Sequence, residues 1–163
     1  MFGMALVQVI NAVYARDVLL IPEEQWWLVF IPLLVTMILA SIPIGIMIDR
    51  IGKKIPLIIG ALTLALSSWM FINGDFGRII IAMIFFGIGQ LALMAGSSAL
   101  FADLVQQEHR GKVIGFTNFV GYLAMGFGML LGDYLYLNSI PQMPFFGALS
   151  LTIPELLIII SHP

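Results

Sequence analysis

Long apolar runs alternate with short polar breaks along the whole chain. The runs cover about residues 1–15, 26–48, 55–73, 78–104, 113–137 and 143–161. A helix needs about 20 apolar residues to cross a hydrocarbon core roughly 30 Å thick. Five runs reach that length or come close to it. The first covers only about 22 Å at 1.5 Å per residue, so it is tilted in, thinned or part of a longer helix. The pattern predicts an all-α membrane protein with six transmembrane helices in a single domain, 1–163.

The breaks carry helix and interface signals. In the first, Pro22 stands before Glu23 and Glu24, a helix start with acids at the positive end of the dipole. Trp26 and Trp27 then mark a membrane boundary. Pro32 and Pro43 interrupt the second run, and Pro154 the sixth. Neighbouring helices in a bundle can satisfy the carbonyls that proline frees. Trp69 and the turn Asn73–Gly77 close the third run, and Asn138–Pro144 closes the fifth.

Composition agrees with this class. The chain is 61% hydrophobic and 10% charged, against about 25% charged in soluble domains. Its partner is the lipid bilayer. No stripe of Lys and Arg suggests nucleic acid. The absence of cysteine excludes disulfides and thiolate metal sites, and His109 and His162 stand apart. No metal and no cofactor is expected. The first run shows no small-residue cleavage site of a signal peptide.

The cations set the orientation. With the 45–54 break inside, the inner breaks hold Arg50, Lys53, Lys54, Arg110 and Lys112, and the outer ones hold only Arg16 and Arg78. That distribution follows the positive-inside rule. It puts both termini in the cytoplasm of a multi-pass cell-membrane protein.

A few polar and small residues lie within the runs. Gln8 and Asn11 share one helix face, either as interhelical glue or facing a solute. Ala92 with Gly96, Ala95 with Ala99, and Gly128 with Gly132 are small-x-x-x-small pairs that let backbones approach closely. Gln90 is the polar residue beside the first of these. Glu155 is the acid set deepest in a run, and intramembrane acids are functional candidates, here for a proton, an ion or the substrate. It also lies close enough to the inner boundary to reach it. Asp133 reads as interfacial, beside Tyr134 and Tyr136. Asp49 and Asp103 end their helices, where the dipole disfavours an anion. Asp103 is expected to meet Arg50 or Arg110, and Asp49 to cap another helix. No run shows paired carboxylates, a histidine cluster or a nucleophile with its base. No catalytic residue is expected.

The break Gly45–Lys54 reads G-I-M-I-D-R-I-G-K-K. Gly45 leaves room for another helix, and Gly52 allows the reversal. The stretch resembles the signature loop of the major facilitator superfamily, Gly-x-x-x-Asp-Arg-x-Gly-(Arg/Lys)-(Arg/Lys), between the second and third helices of a six-helix half. Gly45, Asp49, Arg50, Gly52, Lys53 and Lys54 all match. The resemblance implies a half-bundle of two three-helix repeats that moves a small-molecule substrate by alternating access. It implies a second six-helix half, as a homodimer or a separate chain. It gives the loop a conformational-switch role and places Gln90 on a cavity-lining helix.

Two departures qualify the resemblance. Met129 and Asp133 replace the proline and second glycine of the antiporters' Gly-Pro-x-x-Gly-Gly element. Met83 stands where first halves often carry arginine, which favours the second half. The short first run and the end at Ser-His-Pro suggest a chain cut from a longer transporter, or a split gene. The alternative reading is a non-transporting remnant or scaffold that lacks its partner half.

Overall fold

A computed structural model describes residues 5–7, 10–20, 22–72 and 74–161, apart from the side chains of Glu23 and Trp26. Among these residues every regular element is helical. Residues 5–7 are helical, and α1 follows as Ile10–Asp17. A short 3-10 turn, Glu23–Gln25, leads into α2, Trp26–Ile51. Then come α3 (Lys54–Phe71), α4 (Phe76–Leu104), α5 (Arg110–Asn138) and α6 (Met143–Ser161). The last five are long and apolar enough to cross a membrane. At 29 residues, α4 and α5 each span roughly 43 Å, longer than the hydrocarbon core.

The helix ends follow local chemistry. Gly52 closes α2 with φ +98°, a conformation that glycine adopts without strain, and its N–H bonds the Ile48 carbonyl at 3.2 Å. Asp75 caps α4, its carboxylate accepting from the Arg78 N–H at 2.8 Å. That bond satisfies one of the orphan donors of the first turn.

The most extensive packing joins α3 to α4, and glycine makes it possible. A Cβ on Gly89 would stand 2.6 Å from Leu64 Cγ and 2.9 Å from the Gly60 carbonyl oxygen. One on Gly60 would stand 3.1 Å from the Gly89 carbonyl oxygen. Gly96 meets Leu57 in the same way, and Gly87 meets Leu33 of α2. One buried hydrogen bond crosses the seam, from Ser67 Oγ to the Ala82 carbonyl at 2.8 Å. Gly132 of α5 backs onto the Leu6 carbonyl. The small pairs Ala92–Gly96 and Gly128–Gly132 thus lie at real seams, since all four residues are buried.

Aromatic residues close one end of the bundle. Phe145 of α6 sits 4.8 Å from Tyr14 and stacks on Phe71 at 5.5 Å. Ile79 and Val29 join the same buried cluster. Trp69 lies nearby and exposed, with the Arg78 guanidinium 4.7 Å above its ring. By contrast, α2 and α5 are barely covered. Among the described side chains, Val29 and Ile44 are the buried hydrophobic residues of α2, and Gly128 and Gly132 the buried residues of α5.

Candidate functional site

The 45–54 stretch forms the last turns of α2, the reversal and the first residue of α3. Lys53 and Lys54 turn back into the bundle. Lys53 forms an ion pair with Asp103 at the C-terminal end of α4. Lys54 Nζ donates to the Ile160 carbonyl of α6 at 2.9 Å. Arg110, at the start of α5, donates from Nη2 to the Ala102 carbonyl of α4 at 2.6 Å. Each cation therefore meets a neighbouring helix where exposed carbonyls and the dipole present negative charge. Lys53, Asp103, Lys54 and Arg110 gather the ends of α3, α4, α5 and α6.

Asp103 differs from its expectation, because its partner is Lys53 and not Arg50 or Arg110. The cause is the reversal at Gly52. It brings Lys53 to the head of α3, the helix packed closest to α4, and leaves Arg50 on α2. Arg110 is occupied by the Ala102 carbonyl.

Asp49 also differs. Among the described residues it caps no helix: it is exposed and makes no hydrogen bond or ion pair there. Arg50 beside it is exposed in the same way. Gly45 lies one turn earlier on the Asp49 face, and a Cβ there would meet nothing within 4 Å. The close approach expected at Gly45 is not made among the described residues.

The intramembrane polar residues separate into two levels. Glu155 lines a cleft with Ser68, Thr152, Val7, Leu64, Phe86 and two further α6 residues. Asn11 lies one turn beyond Val7 toward the aromatic end. It is 7% exposed, and its Oδ1 is buried without a partner among the described residues. Gln90 lies one turn beyond Phe86, toward the opposite end. It is half-buried and makes no hydrogen bond among the described residues. Gln8 lies outside the described residues. Asn11 and Gln90 therefore flank the cleft and do not meet in one cluster. Sequence reasoning missed Ser68 and Thr152. The available signal was a hydroxyl inside each of two apolar runs, since such groups bond across helices.

At the aromatic end, Arg16 Nε donates to Asp17 at 2.7 Å. The Arg16 hydrogen bond holds the Asp17 carboxyl below its usual value, opposed by desolvation and assisted by Arg16's charge and the Tyr136 hydroxyl. Asp133 is exposed near the same end of α5. Among the described residues no group of His, Asp and Glu is placed to hold a metal ion.

Known proteins share this sequence pattern along nearly its full length. Quinolone resistance protein NorA of Staphylococcus aureus strain Mu50 is 26% identical over 163 residues, 98% of this chain and 42% of that protein. The strain MRSA252 form gives the same identity and coverage. Multidrug resistance protein 1 of Bacillus subtilis strain 168 is 28% identical over 118 residues, 70% of this chain and 29% of that protein. The chain thus spans less than half the length of these curated relatives. The profile described as Major Facilitator Superfamily matches residues 1–161, which include the Gly45–Lys54 loop and all five membrane-length helices. This multi-pass membrane chain belongs to the major facilitator superfamily.

Proposed function

We propose that the chain is one six-helix half of a secondary transporter. It moves a small, largely apolar organic solute by alternating access together with a second half. The first membrane helix comprises α1 and the residues before it, and α1–α3 and α4–α6 form the two three-helix repeats. The chain sits in the cell membrane with both termini cytoplasmic and the Lys53 and Arg110 ends inside. The second half is another copy or a separate chain. The resistance in the relatives' names supports an organic solute, as does the scarcity of charge in the bundle.

One observation carries the reading. Gly45 and Asp49 belong to the family's loop, yet their shared face of α2 has no partner among the described residues. An acid at a helix C-terminus needs a compensating contact, and the second half supplies it. That contact holds one access state. Charge-assisted bonds contribute about 1.5–3 kcal/mol, enough to shift a two-state equilibrium by roughly one to two decades.

Asp49→Asn tests this with the partner half present. The variant keeps the shape and removes the charge. Solute flux is expected to fall sharply while membrane expression stays near normal. Normal flux would make the loop an orientation signal only.

A further inference from the structure

The aromatic end of the bundle carries two cations, Arg16 and Arg78. They are held in different ways. Arg16 pairs with Asp17 at 2.7 Å. The Arg78 side chain makes no hydrogen bond or ion pair among the described residues. An acid stands three residues before it, yet the Asp75 carboxylate accepts from the Arg78 backbone N–H at 2.8 Å and not from the guanidinium. The guanidinium lies instead over the Trp69 ring, 4.7 Å from its centroid.

The turn between α3 and α4 builds this placement. Gly74 is buried, and a Cβ on it would stand 3.7 Å from Arg78 Cδ. The arginine stem therefore runs back over the turn toward the last residues of α3. Trp69 is 55% exposed, so the stacked pair stands on the outside of the bundle. A guanidinium holds five N–H donors in one plane. Stacking on the indole occupies a face of that plane and leaves the donor edges open.

The aromatic neighbours set the depth of the pair. Trp27 at the head of α2 and Tyr134 near the tail of α5 are exposed at the same end. Exposed Trp and Tyr at the ends of membrane helices mark the headgroup level. At that level the acceptors outside the protein are lipid phosphates. A phosphodiester offers two oxygens that match the guanidinium fork, and the paired bonds are charge-assisted.

We propose that Arg78 and Trp69 form a phospholipid headgroup site on the outside of the α3–α4 turn. The guanidinium takes the lipid phosphate through two N–H groups, and the indole ring holds the guanidinium at headgroup depth. The site rests on the chain crossing a membrane and not on the transport reading. Its test needs neither flux nor a partner half.

The test uses the full chain in lipid nanodiscs that contain phosphatidylglycerol with a photoreactive diazirine in its headgroup. Cross-links are located by mass spectrometry. Residues 69–78 should label several-fold more with this lipid than with a diazirine-bearing diglycosyl lipid of the same acyl chains, which has no phosphate. Arg78→Gln should lower phosphatidylglycerol labelling there several-fold and leave labelling of the 105–109 turn unchanged. Arg78→Lys keeps the charge without the fork and should recover only part. Trp69→Leu keeps the charge without the platform and should also lower labelling, whereas Trp69→Phe should largely hold it. Millimolar inorganic phosphate should not compete. Equal labelling by the sugar lipid, native-like labelling of Arg78→Gln or full recovery by Arg78→Lys would overturn the proposal. Displacement by inorganic phosphate would overturn it too, by making this a site for a free anion.

Discussion

Lys53 at the head of α3 and Asp103 at the tail of α4 form an ion pair across the end of the most extensive helix seam. The Lys53 side chain is 23% exposed and Asp103 66%. An ion pair so open to solvent contributes about 0–1 kcal/mol. Asp103→Asn should therefore lower thermal stability in detergent by a degree or two at most. The reversed pair, Lys53→Asp with Asp103→Lys, should recover most of the loss. A large loss from Asp103→Asn would mean that the pair carries more of the fold than its exposure allows.

The α3–α4 seam is where stability concentrates. Gly89→Ala puts a methyl group 2.6 Å from Leu64 Cγ and 2.8 Å from Thr63 Oγ1. Overpacking of this kind costs about 1–3 kcal/mol. Gly126→Ala meets nothing within 4 Å and should be neutral. Denaturation of the two variants in the same detergent compares them directly. Equal stability would show that the seam is looser than described.

Much of this fold is legible in the pattern of apolar runs. Trp26–Ile51 and Phe76–Leu104 stand out because lipid demands long unbroken apolar helices. The small-residue stripe around Gly89 and Gly96 marks a seam for the same kind of reason. The pairings at the helix ends are less legible. Whether Arg50 or Lys53 reaches Asp103 depends on the rotation that Gly52 imposes, and periodicity does not encode that rotation. Likewise, a hydroxyl such as Ser68 does not announce in sequence that Thr152 and Glu155 will share its cleft.

Orientation is open to direct test, since the chain has no cysteine of its own. Gln107→Cys lies in the α4–α5 turn and Ser139→Cys in the α5–α6 turn. In intact cells an impermeant thiol reagent should label Ser139→Cys and spare Gln107→Cys. The reverse result would invert the topology and the cytoplasmic placement of Asp49.

Asp17 gives a pH dependence of known sign. Arg16 holds its carboxyl below the ordinary value. The contacts of Asp17 with Arg16 and Tyr136 thus stabilise the aromatic end at neutral pH and are lost as pH falls through the lowered value. Carboxyl carbon chemical shifts in detergent should show a midpoint below that of an unstructured peptide. Arg16→Ala should raise it. A midpoint indifferent to Arg16→Ala would remove the hydrogen bond as its cause.

The central claim is that one such half does not transport alone. The measurement is solute flux into proteoliposomes loaded at graded density, with the number of chains per vesicle counted by single-molecule bleaching. Vesicles holding one copy should show no flux above the lipid background. Flux should begin only with two copies or with a separate partner half. Saturable flux in single-copy vesicles would contradict the account.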